Sequence, residues 1–232
     1  MSELATNLNL ETKYWYLRNH QLFSMLNGIE MKTICLIPKF KTGKKNEIIY
    51  FNHDEGQRVY SLKKGTIKIV EIDAAGNEVV KDVLLAGDLF GQFSLEDRIS
   101  DEYAVVLSES AVMCSFKLDD FEKVLESHPN LALKYTKLVG IRFRKMENRY
   151  ANLMFKDVRT RLSLFLKDWA IKEMPAGNTA VTLNNYLTHQ DIASLICSTR
   201  QTVTQLFNDF KSKGLLDYSR HEIVLHDVSK LS

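Results

Sequence analysis

Two helix-start signals, ten residues apart, constrain the fold more than any other feature of the sequence. In the stretch LTHQDIASLICSTRQTVTQLFNDFKSKGLL, Thr188 and Asp191 have the spacing of a capping box, and Ser198 and Gln201 repeat that spacing. Apolar residues recur at helical intervals, at Ile192, Ala193, Ile196, Val203 and Leu206. The pattern predicts a helix, a tight turn and a second helix, and the small Ala193 suits a close crossing of the two.

The segments on either side predict a winged helix-turn-helix. Upstream, DVRTRLSLFLKDWA has the pattern of an amphipathic helix, whose apolar residues are Leu162, Leu164, Phe165 and Trp169. Downstream, GLLDYSRHEIVLHD alternates around a turn at Ser219–Glu222, which predicts a two-stranded wing beside the second helix.

The outward face of the second helix carries side chains that suit DNA. Val203, Leu206, Phe207 and Phe210 share one side of this helix, which leaves polar residues on the other side. Arginine can fork onto the acceptors of guanine, a glutamine amide pairs with adenine, and hydroxyl groups suit phosphates. The candidate DNA-binding residues are Ser198, Thr199, Arg200, Gln201, Thr202, Thr204 and Gln205. A plain solvated face could have the same composition, so this face alone leaves both interpretations open.

The charge distribution points weakly in the same direction. The formal net charge is +2, and residues 156–232 contain 10 Lys and Arg against 8 Asp and Glu. Residues 1–155 contain 21 of each sign, so the whole formal excess lies in the C-terminal third.

Length and composition predict two folded domains in a reducing compartment. The 232 residues exceed one average domain. No apolar run approaches a membrane span, and the N-terminus lacks a basic region followed by an apolar one. Cys35, Cys114 and Cys197 are far apart and odd in number, which argues against a disulfide framework or a clustered metal site. We therefore expect a cytoplasmic protein without a membrane partner.

The first half of the chain predicts an antiparallel barrel or sandwich. From Ile34 to about Phe116, short β-rich runs alternate with turn residues, and Asp73–Asn77 has the composition of a hairpin turn. A helix in YWYLRNHQLFSMLN is expected to cap the barrel, through Leu17, Leu22, Phe23 and Leu26. The basic run Lys39–Lys45 is interpreted as a solvated loop.

A long helix is expected after the strands. LDDFEKVLESHPN predicts a short helix closed by Pro129, and a longer one runs from about Asn130 to Asn152. Its apolar residues form a seam that Arg142 and Arg149 interrupt. This seam either packs on its own domain or forms half of a two-helix dimer interface. The candidate interface residues are Leu131, Tyr135, Leu138, Val139, Met146 and Leu153, with Tyr150 also in the seam.

The fold predicted from these elements is α+β: an N-terminal antiparallel β-roll of the cupin-like or jelly-roll kind, a long dimerisation helix and a C-terminal winged helix-turn-helix. The expected divisions are residues 1–128, 129–155 and 156–232. Five stretches of the sequence, in this order, resemble the CRP/FNR family of bacterial transcription regulators. They are VYSLKKGTIKIV, AGDLFGQFSL, FEKVLESHPNL, KDVRTRLSLFL and STRQTVTQL. The resemblance implies a homodimer through the long helix, a two-fold symmetric site on double-stranded DNA, and RNA polymerase as a partner.

The departures from the family pattern concern its ligands. In members that bind cyclic AMP, a Gly-Glu pair holds the ribose and an Arg holds the phosphate; here the matching residues are Gly91 with Gln92, and Glu102 with Tyr103. A carboxylate repels phosphate, so cyclic AMP is not expected in the usual pose. The resemblance implies a ligand pocket that has lost the family's phosphate-binding residues, here called the degenerate pocket. Its residues are Gly91, Gln92, Phe93, Ser94, Glu102, Tyr103, Met146 and Glu147.

No cofactor is predicted, but the chain could still bind a small effector whose identity the sequence does not reveal. The family's iron–sulfur branch uses N-terminal cysteines, whereas none precedes Cys35 here. His53, the sole histidine among the strands, is interpreted as a structural or solvated turn residue rather than a haem ligand. Cys197 stands where the family usually has glycine; we favour a small apolar residue filling the turn over a thiol of lowered pKa.

The sequence is compatible with two functions. The first is a DNA-binding transcription regulator. The second is an effector-binding module whose C-terminal domain mainly contacts protein partners, and which would bind DNA without sequence preference. An enzyme is not predicted, because no Ser/His/Asp set, phosphate-binding glycine motif or metal-ligand spacing is present.

Overall fold

A computed structural model describes residues 10–50, 52–53, 56–91, 102–174 and 178–231. The chain divides into two compact units, one ending at Arg142 and the other beginning at Phe143. The helices are α1 (Leu10–Arg18), α2 (Gly28–Cys35), α3 (Leu118–Ser127), α4 (Pro129–Phe155), α5 (Val158–Glu173), α6 (His189–Leu195) and α7 (Arg200–Ser212). The strands are β1 (Lys39–Lys44), β2 (Ile48–Tyr50), β3 (Asn52–His53), β4 (Gly56–Lys64), β5 (Thr66–Ile72), β6 (Glu78–Leu85), β7 (Leu89–Gly91), β8 (Glu102–Val106), β9 (Ser110–Lys117), β10 (Val181–Asn184), β11 (Leu216–Tyr218) and β12 (Glu222–Leu225).

The first unit contains the predicted antiparallel roll. One sheet has the order β1-β9-β4-β3 with β7 on β4, and the other has the order β2-β8-β5-β6. Strand residues pointing into the roll alternate with outward ones, and the inward set forms one apolar cluster. Tyr60 and Phe90 stack within this cluster with ring centroids 5.0 Å apart. Apolar burial on the inner face therefore holds the roll together.

A second apolar cluster covers the outer face of the sheet that contains β4 and β9. It includes Leu17, Phe23 and Cys35 from the N-terminal helices, and Cys114 and Phe116 from β9. The predicted capping helix is two α-helices, with a short 3₁₀ turn at Phe23–Met25 between them. The prediction of one helix over this stretch was wrong, because α1 ends at Arg18 and only the 3₁₀ turn follows within it; α2 begins after the stretch, where Asn27 forms a capping box with Glu30.

The strands also begin later than the pattern predicted. Ile34 is buried in α2, and the first strand starts at Lys39. The basic run interpreted as a loop is strand β1, which pairs with β9 in a register that places Phe40 opposite Cys114. Phe40 and Gly43 are buried, whereas Lys39 and Lys44 are exposed and Lys41 is partly exposed, and β1 lies at the edge of its sheet.

Two turns of the roll depend on glycine. The predicted Asp73–Asn77 turn is confirmed: Asp73 Oδ1 accepts from the backbone N–H of Ala75 and of Asn77, both at 2.8 Å, and Gly76 has a φ of 83°. Gly65 joins β4 to β5 with a φ of 90°, and a Cβ there would overlap the Ser110 carbonyl oxygen. Glycine is required at Gly65 for both reasons.

The long helix is present but packs differently from the prediction. The short helix α3 ends before Pro129 as predicted, and Pro129 is also the first residue of α4, since proline suits the first helical turn. Leu131 is fully buried and Tyr135 and Leu138 pack against the outer cluster of the first unit, so the prediction of Leu131 as a dimer contact was wrong. None of the helices in the described part of the chain is long and apolar enough to cross a membrane.

His20 is buried between the N-terminal helices and the roll. Its Nδ1 accepts a hydrogen bond from Leu22 N at 3.1 Å. Burial, and then the charge of Lys63, lowers the pKa of His20 from 6.5 to about 3. The folded state therefore holds a neutral imidazole at pH values where the unfolded chain binds a proton.

Acid is expected to destabilise the first unit through His20. Between pH 6.5 and pH 3, the free energy of unfolding should fall by up to about 1.4 kcal/mol per pH unit, because only the unfolded state takes up this proton. Urea unfolding at a series of pH values measures the slope. His20→Asn, which keeps an acceptor near Leu22 N but does not titrate, should give a shallower slope. An unchanged slope would contradict the assignment.

The second unit contains the winged helix-turn-helix. β10, β12 and β11 form a three-stranded antiparallel sheet, so the predicted two-stranded wing gains a strand from Val181–Asn184. The hairpin turn is confirmed by the hydrogen bond from Ser219 N to Glu222 O at 2.8 Å. On α5, Leu162 and Trp169 are buried as predicted, whereas Leu164 and Phe165 are only partly buried and Leu166 is buried instead.

Candidate nucleic-acid interface

The first helix of the pair begins where the sequence predicted. The Thr188 hydroxyl accepts from Asp191 N at 3.1 Å, and the Asp191 carboxylate accepts from Thr188 N at 2.9 Å. Ala193 is fully buried, as expected for a close crossing of two helices. These contacts fix both the start of α6 and the face that it turns towards α7.

The turn between α6 and α7 depends on an unusual backbone conformation. Cys197 has a φ of 51°, in the left-handed region, and Ser198 N donates to Ala193 O at 2.8 Å. The Cys197 side chain is exposed, so the prediction that it fills the turn as an apolar residue was wrong. The left-handed backbone accounts for the glycine that the resembling family usually has at this position.

Arg161 of α5 fixes this turn through hydrogen bonds to its backbone. Its guanidinium donates to the Ile196 carbonyl at 2.9 Å, to the Cys197 carbonyl at 3.1 Å and to the Lys156 carbonyl at 3.0 Å. Sequence reasoning missed this residue, because a single arginine on a predicted helix gives no local signal of a distant carbonyl partner. The contact fixes the position of the turn that precedes α7.

The second helix starts one residue later than predicted. Thr199, not Ser198, is its N-cap: the Thr199 hydroxyl accepts from Thr202 N at 3.1 Å and contacts the Thr202 hydroxyl at 2.9 Å. The capping box of Ser198 with Gln201 is therefore wrong, and the Gln201 side chain does not form it. Arg200 and Gln201 become the first two helical residues.

The faces of α7 follow the predicted periodicity. Val203, Phe207 and Phe210 are buried, and Leu206 is partly buried. Arg200, Gln201 and Gln205 are exposed, and with Thr199 and Thr204 they line a shallow depression. Ser198 and Thr202 are partly buried beside the same end of the helix. All seven candidate residues thus lie at the N-terminal end of α7, where an exposed arginine and two amides surround the partial positive charge of the helix.

Thr204 is more constrained than the other candidates. Its hydroxyl donates to the Arg200 carbonyl at 2.9 Å and lies 2.9 Å from His189 Nδ1. The His189 ring packs against Phe207 and Tyr218, and burial, then the charge of Arg200, lowers the pKa of His189. The Thr204 hydroxyl has therefore already donated its proton within the protein.

The tip of the wing presents a basic side chain that sequence reasoning did not select. Arg220 and His221 are exposed in the hairpin turn. Asn185 holds this turn, since its side chain donates to Ser219 O at 2.9 Å and its backbone N–H donates to His221 O at 2.8 Å. A basic residue inside the predicted turn was the available signal, because such turns can reach a phosphate backbone.

The other end of α7 is tied to α5. Arg159 forms an ion pair with Asp209 and lies over the Phe210 ring, 4.9 Å from its centroid. Lys213 also contacts Asp209, at 3.1 Å. With Arg161 at the opposite end, α5 fixes both ends of α7.

The residues of the predicted ligand pocket are only partly described. Gln92, Phe93 and Ser94 lie outside the described residues. Gly91 ends β7 with a φ of 114°. Glu102 begins β8, where it pairs with Lys81, which also lies 3.0 Å from Glu71, and Tyr103 is buried.

Two further predicted pocket residues, Met146 and Glu147, are exposed on α4. His53 is in β3, in a strand rather than in a turn. Within the ranges that the structure describes, no group of three or more His, Cys, Asp or Glu side chains could hold a metal ion.

Comparison with known proteins yields both family models and full-length relatives. Residues 40–128 match the model of a cyclic nucleotide-binding domain, and residues 160–232 match that of a Crp-like helix-turn-helix domain. The global nitrogen regulator of Nostoc sp. is 29% identical over 212 residues, which cover 88% of this chain and 92% of that protein. The global nitrogen regulator of Synechococcus elongatus is 30% identical over 202 residues, covering 84% and 88%. A solved structure of a CooA mutant from Carboxydothermus hydrogenoformans aligns with a TM-score of 0.72 and 25% identity, covering 93% and 95%.

Proposed function

Because this chain belongs to the CRP/FNR family of bacterial transcription regulators, we propose that it is a sequence-specific DNA-binding regulator that acts as a homodimer on a two-fold symmetric site. The observation that carries the proposal is the N-terminal end of α7, where Arg200, Gln201 and Gln205 are exposed on a helix whose opposite side is buried. A recognition helix presents this end to base edges in the major groove.

The roles of the individual residues follow from their chemistry. Arg200 and Gln201 are proposed to read bases, because a guanidinium fits guanine and an amide fits adenine. Ser198, Thr199 and Thr202 are proposed to contact phosphates together with Arg220 of the wing. Gln205 extends the reading face by one turn, and the Thr204 methyl group suits a thymine methyl.

An exposed apolar stripe on α4 supports the dimer. Its residues are between 48% and 65% exposed and follow each other at three- and four-residue steps: Val139, Phe143, Met146, Tyr150 and Met154. A stripe of this length on a lone helix would place large apolar groups in water, and a second copy of the helix would cover it. The proposed interface keeps Val139, Met146, Tyr150 and the partly buried Leu153 of the predicted seam, and replaces Leu131, Tyr135 and Leu138 by Phe143 and Met154.

RNA polymerase is the proposed protein partner, because a regulator that binds promoters acts on the polymerase that binds there too. The divisions 1–128, 129–155 and 156–232 are kept as the proposed roles of sensor, dimerisation helix and DNA-binding domain. The alternative, a module whose C-terminal domain contacts mainly protein, has less support, because the exposed end of α7 is polar rather than apolar.

Selection of bound sequences from random DNA tests the function directly. Purified protein is incubated with a random duplex library, with and without a metabolite extract. A two-fold symmetric consensus is expected, with half-sites about one helical turn, roughly 34 Å, apart. Enrichment of no sequence under both conditions, with binding that only follows salt, would support the protein-contacting alternative. Enrichment only with extract would point to a required effector.

Cyclic AMP is expected neither to bind with useful affinity nor to change DNA affinity. Glu102 stands at the matching position of the family's phosphate-binding arginine, and its carboxylate is paired with Lys81. A phosphate at this position would meet a negative charge rather than a guanidinium. Calorimetry with cyclic AMP measures this, and a dissociation constant of about 1 μM or tighter would overturn the prediction.

A further inference from the structure

The feature that the proposed function leaves unexplained is a polar cluster between the N-terminal helices and the outer face of the roll. Residues of β4 alternate between two sides: Tyr60 and Leu62 belong to the roll interior, whereas Val59 belongs to the outer cluster. Ser61 therefore points to the outer side with Val59. Lys63 lies at a shift in the register of β4, and its amine is on the outer side because it lies over the Phe23 ring. Ser61 pairs in register with Cys114, another member of the outer cluster.

Three polar atoms in this region are buried without a hydrogen-bond partner: Ser61 Oγ, Lys63 Nζ and His20 Nε2. One aromatic ring connects two of them, since Lys63 Nζ lies 5.3 Å from the centroid of Phe23 and the His20 and Phe23 centroids are 5.5 Å apart. The side chains of Ser61 and Lys63 both approach the sulfur of Cys114 as hydrogen-bond donors, but a sulfur is at best a weak acceptor. Unsatisfied buried polar groups are rare, and each costs about 1–3 kcal/mol.

All three atoms can donate a hydrogen bond, and the Ser61 hydroxyl can also accept one. His20 Nδ1 accepts from Leu22 N, so the neutral ring carries its proton on Nε2. The Gly87 carbonyl acts on His20 and raises its pKa, but Nε2 forms no hydrogen bond of ordinary geometry. In this interior a hydroxyl, an ammonium and an imidazole N–H meet only the weakly accepting Cys114 sulfur and the poorly aligned Gly87 carbonyl, so a stronger acceptor there would improve their hydrogen bonding.

The charges around the cluster are positive. The positive charges of Lys63 and Lys134 interact with His20, and those of Lys13 and Lys63 interact with Cys35. Burial raises the pKa of Cys35 and of Cys114, so both thiols stay neutral and supply no counter-charge. The occupant that complements this interior is therefore an acceptor with a negative charge.

We propose that the chain binds a small inorganic anion, of halide size, between the N-terminal helices and the outer face of the roll, where Lys63 Nζ, Ser61 Oγ and His20 Nε2 donate to it. The site lies on the opposite face of β4 from the roll interior. It is thus distinct from the degenerate cyclic-nucleotide pocket and does not depend on the DNA-binding proposal.

Binding of the anion is linked to pH. Burial lowers the pKa of Lys63, which favours the neutral amine in the empty site. A bound anion favours the ammonium form, so the affinity is expected to rise as pH falls through the lowered pKa. The other groups that face the amine are the thiols of Cys35 and Cys114 and the neutral imidazole of His20.

Bromide is a suitable probe because it scatters anomalously and resembles chloride. The midpoint of thermal unfolding, Tm, of the full chain is measured in sodium bromide against sodium gluconate at equal ionic strength, and crystals are soaked in bromide. A rise in Tm of about 2–4 °C is expected in bromide. An anomalous peak within hydrogen-bond distance of Lys63 Nζ is expected in the crystals.

Variants separate this site from a general salt effect. Lys63→Met should lose the bromide-dependent rise in Tm, whereas Lys64→Met, its exposed neighbour on β4, should keep it. Ser61→Ala, a smaller change, should weaken the rise and serves if Lys63→Met fails to fold. An equal rise in all variants, or a peak interpretable only as water, would overturn the proposal.

Discussion

Replacing Phe143 and Met146 with glutamate is expected to convert the dimer into monomers and to weaken specific DNA binding on the order of 10²- to 10³-fold. Each protomer alone would engage one half-site and keep only half of the contacts. Both side chains are exposed in the single chain, so the charges are placed in water in the monomer but in an apolar interface in the dimer. Monomers should therefore fold normally.

The opposite side of the same helix supplies a matched control. Ile141 is also exposed, and it lies roughly 180° around the helix from the centre of the stripe. Ile141→Glu should leave both the dimer and DNA affinity unchanged. Light scattering at micromolar concentration measures the mass, and a parent protein that is already monomeric would contradict the proposed interface.

The choice of these positions depends on the tertiary structure. The seam in the sequence would have suggested Leu138 together with Val139, but Leu138 packs against the outer cluster of the first unit. A charge at Leu138 would destabilise the fold of one protomer and could not isolate the effect on dimerisation. Val139 remains in the stripe and can be tested in the same way.

Arg200→Ala is expected to cost about 1–3 kcal/mol of DNA-binding free energy and to relax the preference at one guanine, because a bidentate contact to O6 and N7 is lost. Gln201→Glu should shift one neighbouring position from adenine towards cytosine, since a carboxylate accepts from cytosine N4 but cannot donate to adenine N7. Both side chains are exposed at the start of α7, so neither change should reduce stability.

Arg220→Ala is the control for a phosphate contact. Its loss should weaken binding about equally on all sequences and reduce the salt slope by about one. Binding competitions with single-base variants of the selected site, at two salt concentrations, distinguish the two classes. If Arg200→Ala and Gln201→Glu behaved like Arg220→Ala, both would be phosphate contacts and the assignment of base reading would be wrong.

Local signals in the sequence predicted several features whose physical cause is also local. The capping box of Thr188 and Asp191, the Asp73–Asn77 turn and the buried side of α7 at Val203, Phe207 and Phe210 involve residues a few positions apart. The same helical periodicity is sufficient to identify the exposed end of α7. The order of roll, long helix and helix-turn-helix likewise followed from patterns of period two and period 3.6.

Errors arose where two equally good local solutions competed. Ser198 and Thr199 both have hydroxyls that can cap a helix, and the left-handed backbone of Cys197 selects Thr199. Lys39–Lys45 is polar enough for a loop, but pairing with β9 makes most of it a strand. For β1 a contact distant in sequence decided between alternatives of similar local energy, whereas for α7 the backbone of the preceding turn decided.

What the sequence by itself determined is the set of elements, their order and the amphipathic faces of the helices, because helix and strand periods are properties of neighbouring residues. The tertiary structure alone decided which apolar residues of α4 are used within the protomer: Leu131 is buried, while Phe143 stays exposed. It also decided that Arg161 donates to the turn before α7, and that the Lys63 amine lies over the Phe23 ring. These partners lie tens of residues apart, and their contacts exist only after packing has brought the elements together, so no local pattern encodes them.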